Sequence, residues 1–326
     1  MQISVIGAGV AGLTAAVTLA ERGASVTLHE QAEGLGAQAA SWLAGGMLAP
    51  WCETESADRA ILEPGLAATD WWSERVPDVR RTGTLVVAPA RDAGELARFA
   101  RRIGDHGKSV IAEEIEVLEP VLAGRFRKGL HYEEEAFLNP RAALQSLLER
   151  LRDLGGVIRF GSKADPADID SDMVVDCRGI ASENRELRPV RGEMLILRTG
   201  EVTLSRPVRL LHPRMPVYVV PRGVGRFMVG ATMIESGSTG GVTLRSAVEL
   251  MNAAYAIHPA FAEAEVEEMG AGLRPSFPDN LPRVTRSGRI VSINGLHRHG
   301  FLLAPDCAGK AADIIFGAFD RKKNAA

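Results

Sequence analysis

The chain opens with two short apolar runs that flank a stretch of helical periodicity. Residues 3–6 fit a buried strand, and residues 13–20 carry apolar side chains at helical spacing until Gly23 can end the helix. A second apolar run, residues 25–29, follows at once and closes on Glu30. The pattern therefore predicts a strand, a helix and a second strand with an acidic residue at its end.

Three glycines stand between the first strand and the helix of this unit. Gly7 permits a tight turn, Gly9 lets the backbone approach a pyrophosphate, and Gly12 lets the helix pack closely on the sheet. Glu30, about 20 residues further on, can accept both ribose hydroxyls, which disfavours NADP. The unit predicts an adenine dinucleotide, with its phosphates at the helix N-terminus, and leaves NAD and FAD open. The alternative is a glycine-rich turn that binds nothing.

Later patterns extend this sheet and then describe a second domain. Residues 139–155 predict a helix, and residues 156–160 and 173–176 predict further strands of the parallel sheet. Residues 191–232 are rich in strands, which favours an antiparallel sheet. The predicted fold class is α/β, with a Rossmann-like cofactor domain and a discontinuous α+β substrate domain built on the antiparallel sheet. We assign residues 1–80, 141–190 and 268–326 to the cofactor domain and residues 81–140 and 191–267 to the substrate domain.

Length and composition limit the classes of protein that the chain can represent. Its 326 residues exceed one ordinary domain, and 46% hydrophobic with 24% charged residues is typical of a soluble globular protein. A net charge of −3 gives no electrostatic basis for binding nucleic acid or an anionic membrane. No apolar run approaches the ~20 residues that a membrane span requires.

The cysteines and the first residues predict the compartment. Cys52, Cys177 and Cys307 are scattered and lack CxxC spacing, so we expect neither a disulfide framework nor a metal site. The first strand begins at once, so we expect no signal peptide. Together these features predict a cytoplasmic protein.

Small residues are concentrated between residues 34 and 50. Glycines and alanines at this density allow a flat ligand to lie against the backbone, and Ser41 could bond a phosphate or a ring atom. The alternative is a flexible loop, although flexible linkers are seldom so apolar. The segment therefore favours a cofactor contact.

Five motifs, in order along the chain, indicate a known family. They are Ser41 with residues 44–50 (AGGMLAP), residues 218–222 (YVVPR), residues 229–233 (VGATM), residues 271–275 (AGLRP) and residues 296–305 (LHRHGFLLAP). Together with the opening unit, these motifs resemble the amine oxidases of the D-amino acid oxidase group, most closely the glycine oxidases of thiamin biosynthesis. The resemblance spans nearly the whole chain.

The resemblance implies that the dinucleotide is FAD, held without a covalent bond. The similar sarcosine oxidases attach their flavin through a cysteine in the region corresponding to residues 272–275, where this chain has none. The last motif predicts a helix from Pro305 to Phe316 whose N-terminus faces the flavin pyrimidine. The positions that match the family's cofactor contacts are Gly7, Gly9, Val10, Ala11, Gly12, Glu30, Gln31, Ala40, Ser41, Gly45, Gly46, Met47, Ala164, Gly179, His297, Arg298, His299, Gly300, Phe301 and Leu302.

Arg274 is the first candidate to bind a substrate carboxylate. An arginine on a glycine-flanked turn can make two parallel hydrogen bonds to a carboxylate, a geometry that lysine cannot supply. By the resemblance, Tyr218 adds a hydroxyl to the same carboxylate and Arg298 adds a second positive charge. The alternatives are an interdomain ion pair for Arg274 and strand packing for Tyr218. The side chains expected near the α-substituent of the substrate are Met47, Cys52 and Met233.

The resemblance also implies a reaction. Glycine or a similar small amino acid is oxidised to an imine by hydride transfer to flavin N5, dioxygen is reduced to hydrogen peroxide, and the imine supplies thiazole formation in thiamin biosynthesis. We assign no residue as a catalytic base, because a neutral amine can expel hydride directly. Catalysis then rests on orientation.

Three alternatives stay open at this point. They are a D-amino acid, sarcosine or D-proline dehydrogenase of the same fold, the flavin domain of a tRNA-modifying enzyme, and a flavin-binding protein without catalysis. A homo-oligomer is compatible with the sequence.

Overall fold

The computed structural model describes residues 1–54, 59–104, 106–211 and 216–323. Its strands are β1 (Gln2–Ile6), β2 (Ser25–His29), β3 (Met47–Leu48), β4 (Thr84–Val87), β5 (Lys108–Ile111), β6 (Lys128–Tyr132), β7 (Ala136–Phe137), β8 (Val157–Arg159), β9 (Met173–Asp176), β10 (Arg188–Arg198), β11 (Val208–Leu210), β12 (Val217–Pro221), β13 (Arg226–Gly230), β14 (Ile234–Glu235), β15 (Glu265–Ser276), β16 (Arg283–Ser287) and β17 (Ile290–Asn294). Its α-helices are α1 (Val10–Glu21), α2 (Pro50–Glu53), α3 (Leu62–Ser73), α4 (Ala93–Ile103), α5 (Ala112–Leu118), α6 (Pro140–Asp153), α7 (Leu244–Ile257) and α8 (Gly300–Lys323).

The opening strand–helix–strand unit lies at the centre of a six-stranded sheet. β1 pairs in parallel with β2 on one side and β9 on the other, and the sheet order is β16-β17-β9-β1-β2-β8. The strands expected at residues 156–160 and 173–176 are confirmed as β8 and β9. Helix α1 follows β1 because the apolar spacing that begins at Leu13 lets it bury one face in the core that it shares with α3, α6 and α8.

A nine-stranded sheet forms the second layer, as the strand-rich sequence predicts. Its order is β14-β10-β13-β12-β11-β4-β6-β5, with β15 paired along the length of β10. Neighbouring strands are antiparallel, apart from the parallel pair β4 and β11. Helix α7 packs on this sheet and buries Leu250, Ala254 and Ile257. Its N-terminus is capped by Thr243, whose hydroxyl accepts a hydrogen bond from the Ser246 amide.

The two sheets use interleaved parts of the chain, which gives the discontinuous arrangement that the sequence predicts. Strand β15 belongs to the nine-stranded sheet and runs through residue 268, where the sequence places a domain boundary. The exact boundaries stay a prediction. Within the described ranges, no helix has both the length and the apolar character needed to cross a membrane.

The last helix begins at Gly300, not at Pro305 as the sequence suggests. A proline inside a helix has no N–H for the carbonyl four residues earlier, which here is that of Phe301. The indole Nε1 of Trp72 donates to this carbonyl at 2.7 Å and replaces the missing donor. The helix can therefore continue through Pro305, and its N-terminus lies one turn nearer the start of the last motif.

We predict that Trp72→Phe lowers the free energy of unfolding by about 1–3 kcal/mol, because the buried Phe301 carbonyl loses its donor. Urea denaturation measures the change. Trp71→Phe is the matched control, since it removes the same volume at a half-buried position and should cost less than about 1 kcal/mol. Equal losses in both variants would contradict this role of the indole.

Candidate active site

A cavity of about 450 Å³ is lined by residues from both large sheets. Every position expected to contact the cofactor lines it except Gly12, which lies in helix α1 behind the glycine turn. The cavity wall includes Tyr218 of β12, Arg274 of β15, Met233 between β13 and β14, and residues 296–302, which follow β17. The structure thus brings the expected cofactor and substrate residues to one place.

The glycine turn brings two stretches of backbone into direct contact. Gly7 has a φ of 100°, a left-handed conformation that favours glycine. A Cβ atom on Gly12 would lie 1.7 Å from the Gly7 carbonyl oxygen, so no side chain can be accommodated there. On the other side of the turn, the Ser41 hydroxyl accepts a hydrogen bond of 3.2 Å from the Val10 amide at the start of α1. The small-residue segment is therefore attached to the helix N-terminus.

Glu30 is held in place by backbone amides. Its carboxylate accepts hydrogen bonds from the Ala8 amide at 2.7 Å and from the Ala32 amide at 3.0 Å. A carboxylate has about four acceptor sites, so capacity remains for two ribose hydroxyls. The Cβ-free turn, the helix N-terminus and this carboxylate together fit the diphosphate and ribose of an adenine dinucleotide.

Arg222 supports the part of the small-residue segment that lines the cavity. Its guanidinium donates to the carbonyl oxygens of Ala44, Gly45 and Leu138 at 2.9, 2.6 and 3.1 Å. Burial, followed by repulsion from Arg141, lowers the pKa of Arg222 to about 9. Sequence analysis found this arginine only as part of a family motif, because its three acceptors are backbone carbonyls from two distant segments.

We predict that Gly12→Ala abolishes most flavin binding, since its methyl group would displace the Gly7 carbonyl and close the cradle for the phosphates. The ratio of visible flavin absorbance to protein absorbance in the purified variant measures this loss. Gly94→Ala is the control, because a Cβ at Gly94 meets no atom within 4 Å. Full flavin content in the Gly12 variant would refute the role assigned to the turn.

The predicted carboxylate-binding residues lie together on the cavity wall, although Arg274 is not on a turn. It lies within β15, where it pairs with Val190 of β10, because the two long strands stay in register past the glycines. Its Nη1 donates to the Thr232 carbonyl at 2.9 Å, and among the described residues it forms no salt bridge. Burial, and then the nearby Arg298, lowers the pKa of Arg274 to about 10, so the group is charged at neutral pH.

Arg298 is paired with an acidic residue that the sequence did not single out. The Glu53 carboxylate accepts from its Nε at 2.7 Å and lies 2.6 Å from its Nη2, and both side chains are about nine-tenths buried. The Tyr218 hydroxyl accepts from Arg298 at 3.1 Å and donates to Glu53 at 3.4 Å. His299 Nδ1 lies 3.3 Å from the same carboxylate. Glu53 follows the AGGMLAP motif directly, but nothing in its local sequence indicates a partner 245 residues away.

The Glu53 carboxylate is stabilised in its charged form. Burial by itself raises the pKa of Glu53, but the positive charge of Arg298 and the nearby His299 imidazole act against burial and prevail. The net effect holds the pKa well below its usual range. Burial also raises the pKa of Tyr218, so its hydroxyl is neutral. Beside Tyr218, the wall therefore carries one compensated guanidinium, Arg298, and one guanidinium without a carboxylate among the described residues, Arg274.

Two methionines complete this part of the wall, and Cys52 does not belong to it. Met47 and Met233 line the cavity, and the Met233 sulfur lies 3.5 Å from Nη1 of Arg298. Cys52 is fully buried outside the lining. Its amide donates to Glu135 at 2.7 Å and its carbonyl accepts from Arg209 at 2.9 Å, so these bonds fix α2 with Cys52 in a buried hydrophobic cluster behind the cavity wall. The expected contact of Cys52 with substrate is corrected accordingly.

His297 lies at a strained point of the backbone beside the cavity. Its φ is 49°, and its Nδ1 lies 2.7 Å from the Ser276 hydroxyl. Burial, followed by the charges of neighbouring groups including Arg274 and Arg298, lowers the pKa of His297 to about 3. The imidazole is therefore neutral at physiological pH and does not add a third positive charge to the wall.

We predict that His297 makes the protein less stable as the pH falls from about 6.5 to about 3. In that range the unfolded chain binds a proton that the folded chain excludes, and below it the loss is complete. Asparagine tolerates the positive φ, so His297→Asn should reduce the slope of unfolding free energy against pH by at most about 1.4 kcal/mol per pH unit. Denaturation at a series of pH values measures the slope. The exposed His106→Asn is the control, and identical slopes in parent and His297→Asn would contradict the assignment.

No metal site accompanies these residues. In the described ranges, no group of three or more histidine, cysteine, aspartate or glutamate side chains is arranged to hold a metal ion. The cavity wall thus consists of a dinucleotide cradle and a separate cluster of charged side chains.

Comparison with known proteins agrees with this arrangement. Residues 2–314 match the family model described as FAD dependent oxidoreductase. The chain is 57% identical to a Rhizobium etli protein named as a thiamine biosynthesis oxidoreductase, ThiO, over 96% of this chain and 95% of that protein. It is 27% identical to glycine oxidase of Pseudomonas aeruginosa over 97% and 95% of the two chains. The crystal structure of glycine oxidase from Geobacillus kaustophilus shares the fold, with a TM-score of 0.78 at 22% identity over 95% and 93% of the two chains.

Proposed function

The chain belongs to the FAD dependent oxidoreductase family, and from that premise we propose that it oxidises glycine, or a similarly small amino acid, to the imine used in thiamin biosynthesis. Glycine is proposed because the relative from Pseudomonas aeruginosa is named for that activity, and the pathway because the relative from Rhizobium etli is named for it. The observation that carries the proposal in this chain is Arg274, a charged group on the cavity wall that forms no salt bridge within the described ranges.

A guanidinium in this position calls for an anionic ligand. Moving a charge out of water is costly unless an opposite charge lies near it, and the α-carboxylate of an amino acid supplies one. Tyr218 also lines the cavity and lies within the electrostatic influence of Arg274. We therefore assign the substrate carboxylate to Arg274, with the Tyr218 hydroxyl beside it and with Met47 and Met233 near the α-carbon.

A bound FAD would supply the acceptor for the hydride of the substrate α-carbon, and dioxygen would then take up the two electrons and two protons to give hydrogen peroxide. The residues that would hold it are those of the glycine turn, Glu30, and the small-residue segment that Ser41 and Arg222 fix. Its noncovalent attachment stays a prediction.

The protein's own part in the reaction is orientation. A neutral amine can expel hydride with its lone pair and release its remaining proton to solvent, so no side chain has to act as a base. The neutral imidazole of His297 and the paired carboxylate of Glu53 are consistent with a wall that positions charge and does not relay protons.

The free, buried state of Cys52, Cys177 and Cys307 supports assignment to a reducing, cytoplasmic compartment.

The direct test is an anaerobic titration of the purified protein with glycine, sarcosine, D-alanine and D-proline. We expect glycine to bleach the visible flavin absorbance, and the following exposure to air to release hydrogen peroxide in proportion to substrate consumed. An unchanged spectrum with all four amines would refute the proposed function. Bleaching without peroxide release on admission of air would identify a dehydrogenase in place of an oxidase.

We predict that Arg274→Lys lowers kcat/KM for glycine by roughly tenfold to 150-fold, equivalent to ~1.5–3 kcal/mol, since lysine retains the charge but cannot make two parallel bonds. Steady-state peroxide production measures the change, and flavin content should equal that of the parent. Arg226→Lys, at an exposed position of the same sheet, is the control. Parent-like kinetics in the Arg274 variant would remove Arg274 from the substrate site.

A further inference from the structure

The charges on the cavity wall are unequal in number, and this imbalance bears on which substrates the cavity accepts. Beside Tyr218, the cavity wall carries two guanidinium groups, those of Arg274 and Arg298, and a single carboxylate, that of Glu53. Glu30, Lys163 and Arg178 line other parts of the cavity, and Arg178 is paired with Asp176. The Glu53 carboxylate binds Arg298 through two of its nitrogens. One substrate carboxylate at Arg274 would therefore supply the charge partner that this guanidinium lacks among the described residues.

A second carboxylate on the substrate would meet a different environment. Arg298 is the other guanidinium beside Tyr218, and it is already engaged by Glu53 and Tyr218. An additional acidic group brought to Arg298 would lie close to the Glu53 carboxylate, in a site about nine-tenths buried. Like charges in a site of low dielectric repel strongly, so such a substrate should be disfavoured.

Resting on the proposed function, we propose that Glu53 restricts the substrate to amines with a single carboxylate, because its charge occupies Arg298 and repels a second acidic group. Glu53 is thus a specificity-determining residue that acts through Arg298 and not on the reacting carbon. The same arginine becomes a second carboxylate site when the charge of Glu53 is removed. This places glycine within the accepted class, and N-carboxymethyl glycine (iminodiacetate) and D-aspartate outside it.

Hydrogen bonding supports a dedicated role for this side chain. Glu53 is the last residue of α2, which follows the small-residue segment. The neighbouring Cys52 amide donates to Glu135, and this hydrogen bond holds the backbone that carries the Glu53 side chain. His299 Nδ1 lies 3.3 Å away, and the Tyr218 hydroxyl joins both members of the pair. A glutamine keeps the shape of Glu53 and part of these bonds, whereas an aspartate keeps the charge. The two substitutions therefore separate charge from packing.

The binding test uses acetate and malonate, which are not amines and are not oxidised. Isothermal titration calorimetry of the flavin-containing protein gives the ratio of their dissociation constants in the parent, in Glu53→Gln and in Glu53→Asp. We expect the parent to bind malonate no more tightly than acetate. The preference for malonate should rise at least about tenfold in Glu53→Gln, by the worth of one charged hydrogen bond, and should stay at the parent value in Glu53→Asp.

The kinetic test compares iminodiacetate with glycine in the same three proteins. The ratio of kcat/KM for iminodiacetate to that for glycine should rise in Glu53→Gln by a factor similar to the change in binding, and Glu53→Asp should again resemble the parent. Flavin content of each variant is measured alongside.

Several outcomes would overturn the inference. If the parent binds malonate at least about tenfold more tightly than acetate, the inference is overturned by the parent protein alone. It is also overturned if the ratio of the two dissociation constants is the same in the parent and in Glu53→Gln. If the Glu53→Gln protein does not retain flavin, the ratio of the acetate and malonate dissociation constants in the parent decides whether the inference stands. A parent that glycine does not reduce, but whose malonate preference rises in Glu53→Gln, would refute the proposed function and support the role of Glu53.

Discussion

The buried ion pair between Glu53 and Arg298 is the interaction on which the charged part of the cavity depends. Its members lie 245 residues apart, one at the end of α2 and the other in the segment before α8, and Tyr218 of β12 bonds to both. A charge withdrawn from water must be compensated by a close opposite charge, or it destabilises the folded chain. The pair therefore holds three separate segments around the cavity and determines how much positive charge is left for a ligand.

The two parts of the cavity recognise their ligands by different means. The dinucleotide part relies on backbone, since the contact of Gly7 with Gly12 leaves no room for a side chain and Glu30 is oriented by two amides. The proposed substrate part would rely on side-chain charge, since Arg274 has no carboxylate among the described residues and Arg298 is compensated. Backbone recognition suits a cofactor that is always the same, whereas the proposed selection among amines rests on a small difference in side-chain charge.

Rigid support would allow orientation to serve as catalysis in the proposed reaction. Arg274 lies within a strand that is hydrogen-bonded along its length to β10, and Arg222 bonds to three carbonyls of the segments that line the cavity. The α8 N-terminus is fixed in turn by the Trp72 indole on the Phe301 carbonyl. Groups held in this way lose little freedom when a substrate binds, so more of the binding energy is available to position the reacting carbon.

The sequence by itself determined the features that arise from local periodicity and local backbone requirements. The strand–helix–strand unit, its glycines and its terminal Glu30 could be read directly, as could the strands that became β8, β9, β12 and β13. The family motifs further indicated most of the residues that line the cavity. Tertiary structure alone decided the rest: that Arg274 lies in a strand, that α8 starts at Gly300, that Cys52 is buried outside the cavity lining, and that Glu53 meets Arg298. Each of these depends on a partner from a distant part of the chain, and the periodicity of a segment carries no information about which remote donor or charge will face it.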